Sequence, residues 1–446
     1  MLLPEEMRAV DAAAPEPVDV LVERAGRAVA RSALRVLGGA YGRRVVVVAG
    51  KGMNGDDGRV AAQRLRRAGV RVVVLDADDV GGLAVPTCDL VIDAAYGTGF
   101  SGTWSPPHVG DTEVLAVDLP SGVDGLTGQA VGPVLQAVAT TTFAAHKPGL
   151  LLGRGPELAG VVEVVDIGLD VGRPATHLVT DADVARWLPE RGATAHKWVG
   201  AVWLVAGSPG MAGAAALATR GAQRAGAGYV RLSTPGGAPG DGTPLEAVGT
   251  ALPARGWAAE VLAGAGRFGA LAVGPGLGRA DGTAGEVRSL VAGHGSTPLV
   301  VDGDGLHALG PSPRVGSAVV LTPHDGEYEG LTGHRPGPDR LAAARELAAT
   351  TGAVVLLKGP TTVVADPAGQ VLLVRVGDAR LATAGTGDVL TGIVAALLAA
   401  GVDPLRAAAS GAHLHGAAGN LGWRRGLVAG DLPDLVPAAL DGLSTC

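Results

Sequence analysis

RVVVVAGKGMNGDDG, residues 44–58, is a β-branched run that empties straight into a glycine-rich turn. Consecutive valines leave no polar face, so the run predicts a strand buried on both sides, as parallel sheets require. A helix is expected from about Arg59 to Ala68. Strand, turn and helix form the first half of a βαβ unit, and the flanking sequence repeats the theme. Val70 to Leu75 is the next strand, Leu90 to Asp93 runs into AAYGTGFSG, Val114 to Asp118 runs into LPSGVDG, and Val161 to Ile167 closes this half. Upstream, Leu21 to Leu37 has apolar residues at helical spacing and reads as an amphipathic opening helix. Three consecutive strands end in polar, glycine-containing loops, which in a parallel sheet line one crevice. A binding site is expected there.

Gly97, Gly99 and Gly102 match the spacing of the dinucleotide fingerprint, but its third glycine should enter a helix. Here Pro106 and Pro107 oppose a helix start, so GTGFSG reads as a loop whose amides close over a phosphate. Asn54, Asp93 and Ser121 are hard oxygen donors suited to an alkali or alkaline-earth cation, and each alone also suits a turn or cap. Asp118 is either a strand-end turn former or an acid/base group. Lys147 is either an exposed turn lysine or a phosphate contact.

GLDVGRPATH (168–177) has the glycine and proline of a linker, which places a domain boundary near Gly172. Leu178 to Leu188 is expected as a short helix, and a second sheet starts at Ala201 to Ala206. Further strands are expected at Tyr229–Leu232, Leu271–Val273, Leu299–Asp302, Ala318–Leu321, Val354–Lys358 and Thr362–Ala365. Their trailing loops carry GPGLG (274–278), DGDGL (302–306), TPHDGEYEGL (322–331) and KGPTT (358–362), all at one sheet edge. The last of these signals is LATAGTGDVLTGIVAALL (381–398). Gly385 and Gly387 open the backbone to a ligand, and the helix that follows offers unpaired amides at the positive end of its dipole. Asp388 lies at the mouth of this anion hole, where the same field is expected to keep it ionised as a base; capping its own helix is a compatible role. Glycines, helix and carboxylate together point to phosphoryl transfer. Lys358 suits a nucleotide phosphate, and His324 suits either a loop hydrogen bond or a ligand contact.

At 446 residues the chain exceeds one ordinary core and reads as two α/β domains of about 200 residues each. Aromatics make up only 3% of it, so Val, Leu, Ile and Ala must build the cores. A net charge of −7 without a basic run opposes nucleic-acid or membrane-surface binding and favours small-molecule partners. Cys88 and Cys446 allow neither a disulfide framework nor a thiolate zinc site. MLLPEEMRAVD lacks the features of an export signal, and no apolar run reaches membrane-spanning length, so a cytoplasmic location is expected.

The ordered set of motifs carries a resemblance. ERAG (23–26), GKGMNGDDG (50–58), DAAYGTGFSG (93–102), VDLPSGVDG (117–125) and HKPG (146–149), followed by GSPGMAGAA (207–215), GPGLG, TPHDGE, KGPTT and ATAGTGDVLTG (382–392), make the chain similar to the bifunctional NAD(P)H-hydrate repair enzymes. The resemblance implies an epimerase domain over 1–171, a Rossmann-like three-layer sandwich, and an ADP-dependent dehydratase domain over 172–446 of ribokinase-like fold. It implies NADHX and NADPHX as substrates, no nucleic-acid or membrane partner, and a homo-oligomer. In the first domain, Asn54, Asp93 and Ser121 would hold a potassium ion. Met53, Asn54, Gly55, Asp56 and Asp57, with Gly97, Thr98, Gly99, Phe100, Ser101, Gly102, Thr103 and Asp118, would hold the hydrate; Asp118 would be its acid/base. In the second domain Asp388 would be the base, and Lys358, Gly359, Pro360, Thr361, Thr362 and Gly387 would contact ADP. Ala214, Gly276 and His324, with Asp388, would contact the hydrate, and magnesium would accompany the nucleotide.

Met53 and Asp56 stand where the family usually has asparagine and glycine, and a carboxylate at Asp56 is expected to repel an anionic dinucleotide. The rival reading is a ribokinase-like kinase for a small alcohol or vitamin precursor, with a non-catalytic N-terminal binding module.

Overall fold

The computed structural model describes every residue except Ser101, Asp241 and 444–446. Its contacts divide the chain into two compact units, Met1–Pro174 and Ala175–Cys446. Among the described residues no helix is long and apolar enough to cross a membrane.

The first unit opens with helices α1 (Pro4–Ala12) and α2 (Val18–Leu37), then alternates β1 (Arg44–Ala49), α3 (Met53–Arg67), β2 (Arg71–Asp76), β3 (Leu90–Ala94), β4 (Glu113–Val117), β5 (Ala139–Phe143), α4 (Gly155–Leu158) and β6 (Val161–Val165). The strands form one parallel sheet in the order β2-β1-β3-β4-β5-β6. Val45 and Val47 face a core shared with α2 and α3, while Val46 and Val48 face a second core on the other side. Burial on both faces is why the valine run shows no alternation.

The helix after β1 begins at Met53 rather than near Arg59, so the residues expected as a turn are its first turn. Gly52, in extended conformation, breaks the chain, and Gly55 and Gly58 are tolerated because α3 presses on its neighbours: a Cβ on Gly55 would strike the Gly50 carbonyl, and one on Gly58 would lie 2.5 Å from the Ala94 Cβ. Strand β5 was not anticipated, because its ATTTF composition reads as polar. Its threonines are buried, and two of the hydroxyls have acceptors: Thr140 donates to the Ala159 carbonyl at 2.7 Å and Thr142 to Asp118 Oδ1 at 3.0 Å.

The second unit begins with β7 (Thr176–Leu178) and α5 (Asp181–Trp187), then β8 (Ala201–Val205), α6 (Ala212–Arg224), β9 (Tyr229–Pro235), β10 (Val248–Leu252), α7 (Trp257–Gly264), β11 (Ala270–Val273), α8 (Thr283–Gly293), β12 (Leu299–Val301) and α9 (Asp304–Leu309). It continues with β13 (Val319–Leu321), α10 (Asp325–Thr332), α11 (Arg340–Thr351), β14 (Val354–Leu357), β15 (Thr362–Ala365), β16 (Val371–Val374), α12 (Thr386–Ala399), α13 (Pro404–Leu421) and α14 (Leu432–Asp441). The ten strands run β10-β9-β8-β11-β12-β13-β14-β15-β16-β7, parallel from β10 to β14, with β15 reversed against both its neighbours. Strands β7, β10 and β16 were not anticipated: β7 and β10 are edge strands, whose short or polar sequences need only one neighbour. Apolar all round, α12 is buried on the sheet beside α6 and α13, and small residues let α12 and α6 touch. A Cβ on Gly392 would collide with the Ala218 carbonyl, and one on Gly221 with the Val389 carbonyl.

Candidate functional site

Each unit has its own polar centre at the C-terminal edge of its sheet. In the first, α1, α2, the start of α3 and the loops after β3 and β4 enclose a cavity of about 630 Å³. Asp118, at the end of β4, adopts φ +67°, a conformation that costs a non-glycine residue roughly 1–2 kcal/mol. Its Oδ1 lies 2.6 Å from Lys147 Nζ and accepts from Thr142 Oγ1 at 3.0 Å; its Oδ2 accepts from Thr98 N at 3.0 Å and Thr98 Oγ1 at 2.5 Å. Lys147 is only 1% exposed and also donates to the Phe143 carbonyl, so it is a buried counter-charge and neither an exposed lysine nor a free phosphate ligand. Burial pushes the Asp118 carboxyl upward, but the Lys147 ammonium and the Thr98 hydrogen bonds outweigh it and hold the group below the usual range. Asp118 is therefore a fixed anion and a poor proton donor.

Asp57 has the opposite character. Buried on the inner face of α3 and lining the same cavity, it is pushed up to about 8, first by burial and then by the charges of Asp118, Asp56 and Asp11. Three residues earlier on the helix, Asn54 lies near Gly97: a Cβ on Gly97 would fall 2.9 Å from Asp118 Oδ2 and 3.2 Å from Asn54 Oδ1. Asp93, fully buried at the end of β3, accepts from Ser121 N at 2.9 Å and Ser121 Oγ at 2.6 Å, and burial raises it to about 6 against those hydrogen bonds. Ser121 Oγ also meets the Tyr96 carbonyl at 3.1 Å.

Met53, Asn54, Asp57, Gly97, Thr98, Gly99, Phe100 and Asp118 thus share the cavity wall. Gly55 does not reach it, because it is buried against Gly50. Asp56 lies outside the lining, where it pairs with Arg59 at 3.2 Å, and its charge still reaches Asp57. Gly102 and Thr103 are exposed outside the lining, no helix follows GTGFSG, and Ser101 lies outside the described residues.

In the second unit the N-terminus of α12 is the focus. Gly385 provides its left-handed N-cap at φ 90°, and Asp388 stands in the first turn without capping it. Contrary to expectation, Asp388 is not held firmly ionised: burial first, then the nearby Asp302 charge, raise it to about 7 despite Lys358. Lys358 Nζ lies 3.0 Å from Asp302 Oδ1 and 3.4 Å from Glu327 Oε2, and 3.7 Å from where a Cβ on Gly387 would be. Asp302 accepts from Thr322 Oγ1 and Thr391 Oγ1, each at 2.7 Å, and these bonds and Lys358 outweigh burial to keep it ionised. Asp302, Glu327 and Thr391 are site residues that residue type alone does not single out, although they lie in the DGDGL, TPHDGE and ATAGTGDVLTG motifs.

His324 is the N-cap of α10: its Nδ1 accepts from Gly326 N at 3.0 Å while Glu327 reaches back to its backbone amide at 2.8 Å. Gly359 and Pro360 are exposed beside Lys358, Thr362 opens β15, and Thr361 is buried. Arg340 bridges this loop to α10, donating to the Lys358 carbonyl at 2.8 Å and pairing with Asp325 at 2.9 Å. Ala214 and Gly276 lie together, since a Cβ on Gly276 would come within 2.9 Å of the Ala214 Cβ. Beside them, Gly207, Ser208, Ala212 and Thr234 help to line a cavity of about 230 Å³. Among the described residues no three His, Cys, Asp or Glu side chains form a metal cage.

Comparison with known proteins shows which chemistry these centres accompany. Residues 202–439 match the family model described as NAD(P)H-hydrate dehydratase, and residues 18–81 and 76–149 match the YjeF-related protein N-terminus. A bifunctional NAD(P)H-hydrate repair enzyme of Moorella thermoacetica is 38% identical over 96% of this chain and 93% of its own length. The chain belongs to the bifunctional NAD(P)H-hydrate repair enzymes. A repair enzyme of Salinibacter ruber is similar at 37% identity over 94% of this chain and 92% of its own. Among solved structures, an ADP/ATP-dependent NAD(P)H-hydrate dehydratase of Bacillus subtilis, co-crystallised with ATP and Mg2+, matches with TM-score 0.51 and 31% identity. It covers 60% of this repair enzyme and 99% of its own chain. A ribokinase-like superfamily protein of Enterococcus faecalis, TM-score 0.52 at 20% identity over 62% of this chain and 99% of its own, shares the fold.

Proposed function

We infer that this chain repairs hydrated NADH and NADPH, the first unit interconverting the R and S epimers and the second using ADP to dehydrate the S epimer, with release of AMP and phosphate. The observation that carries the reading is the grouping of Asp388, Lys358 and Asp302 at the glycine-capped start of α12. A base there takes the proton of the C6 hydroxyl as its oxygen attacks the terminal phosphoryl group of ADP. The amides of Gly385 to Gly387 and the Lys358 ammonium stabilise the charge on the transferring group. The ring nitrogen then expels phosphate from C6, and loss of the C5 proton restores the dihydronicotinamide. Asp302 and Glu327 hold the Lys358 ammonium beside the anion hole.

Magnesium suits this centre as an ion carried on nucleotide phosphates, since it needs only one or two protein carboxylates, and it would neutralise phosphate charge. Potassium suits the first unit: the Asp93 carboxylate, Ser121 hydroxyl and Tyr96 carbonyl converge, with Asn54 nearby, and these oxygens would hold it to help seat the dinucleotide. The lone-kinase alternative is not favoured, because the likeness to repair enzymes runs through both units.

The deciding experiment incubates the chain with mixed epimers of NADH hydrate and ADP and follows dihydronicotinamide absorbance and AMP. Complete recovery with one AMP per hydrate is expected. Recovery that stalls when the S epimer is exhausted removes the epimerase half, and formation of ADP from ATP with a small alcohol in its place removes the dehydratase half.

A further inference from the structure

The epimerisation needs a group that Asp118 does not supply. Exchange at C6 requires the hydroxyl to leave as water, so a proton must be delivered to it, and Asp118 is an ion-paired acceptor. We propose that Asp57 is the proton donor of the epimerase cavity, because its nearly buried carboxyl lines that cavity with no hydrogen bond or ion pair to any described residue, on the same face of α3 as Asn54. The proposal rests on the epimerase reading above. Its chemistry is balanced. The Asp57 proton passes to the C6 oxygen, the C6–O bond breaks as the ring-nitrogen lone pair forms C6=N, and water departs, leaving the Asp57 carboxylate. Water then adds to C6, returning its proton to Asp57, and the C=N electrons return to nitrogen. The cation is planar at C6, so rotation of the ring about its glycosyl bond presents either face to one acid.

The surroundings favour a neutral Asp57. From β4 it faces the Asp118 carboxylate, from α1 Asp11 and Arg8, from the segment after β5 Lys147, and on its own helix Asp56, while α2 lines the cavity with apolar Leu21, Val22 and Ala25. Lys147 is committed to Asp118, so burial first, and then the charges of Asp118, Asp56 and Asp11, hold the proton to about pH 8. Asp118 keeps a complementary role as the fixed anion near the developing cation.

The test uses the full chain without ADP, which silences dehydration, and follows conversion of the R epimer to S by chromatography. Asp57→Asn is expected to slow exchange by roughly 10²- to 10⁴-fold, the usual contribution of a positioned acid, while hydrate binding stays within a few-fold. Asp57→Glu restores part of the rate. The native rate falls above about pH 8, and Asp57→Glu moves that limb. Exchange at the native rate by Asp57→Asn overturns the proposal, as does an unmoved limb in Asp57→Glu if Asp57→Asn no longer binds hydrate. No exchange by the native chain overturns the epimerase reading instead.

Discussion

Asp388 and Asp118 both read from the sequence as acid/base carboxylates in a ligand crevice, yet their environments separate them. Asp388 is raised to about 7 by burial and Asp302, so it gains its base form only as pH rises through that value. The dehydratase kcat/KM is accordingly expected to drop about tenfold per pH unit below 7 and to level off above it, and a pH profile with the S epimer and ADP checks this. Asp388→Asn should lower dehydration by roughly 10²- to 10⁴-fold with ADP affinity within a few-fold, measured by turnover and calorimetry. Asp118 is depressed in the fold, so its pair with Lys147 stabilises above the unfolded carboxylate pKa and the contribution is lost as pH falls through the lower folded value. Lys147→Met leaves that anion buried and unpaired. About 3–5 kcal/mol of stability should be lost near neutrality in urea denaturation, with the deficit narrowing in acid as Asp118 takes up a proton. Neither distinction was legible from residue type: the helix-dipole argument for Asp388 misjudged burial, and HKPG says nothing of where its lysine points.

Between residues and the whole lie the helices whose starts build both centres. The glycine-rich turns announced α3 and α12 and their role as amide-bearing N-termini. What stayed hidden was how early α3 begins, because Gly55 and Gly58 count as helix breakers until the close Gly50 backbone and the Ala94 side chain are seen. The same logic governs α12. Gly392 lies one helical turn beyond Asp388 and against the Ala218 carbonyl of α6, so Gly392→Ala must push the two helices apart. Overpacking of this kind costs roughly 1–3 kcal/mol. A lowered melting temperature is expected, with dehydration lost and epimer exchange retained, as parallel assays of the variant would show.

As a whole, the chain holds two compact units, each with its own sheet and its own polar centre. Replacing potassium by sodium is therefore expected to loosen hydrate binding and slow epimer exchange without changing ADP-driven loss of the S epimer; equal rates in both salts remove the cation from the first unit. Buried strands, glycine turns and the order of motifs were local properties, written in short stretches such as RVVVVAGKG and ATAGTGDVLTG, and the sequence by itself determined from them the parallel α/β class, the crevice edges and the family. Strand ATTTF escaped because its three threonines read as polar although all are buried in the fold. The tertiary structure alone decided protonation and pairing: that Lys147 neutralises Asp118, that Asp302 and Glu327 hold Lys358, and that Asp57 faces a cavity with no partner among the described residues. A carboxyl's pKa depends on burial and on charges brought near by folding, and neither is a property of its neighbours in the chain.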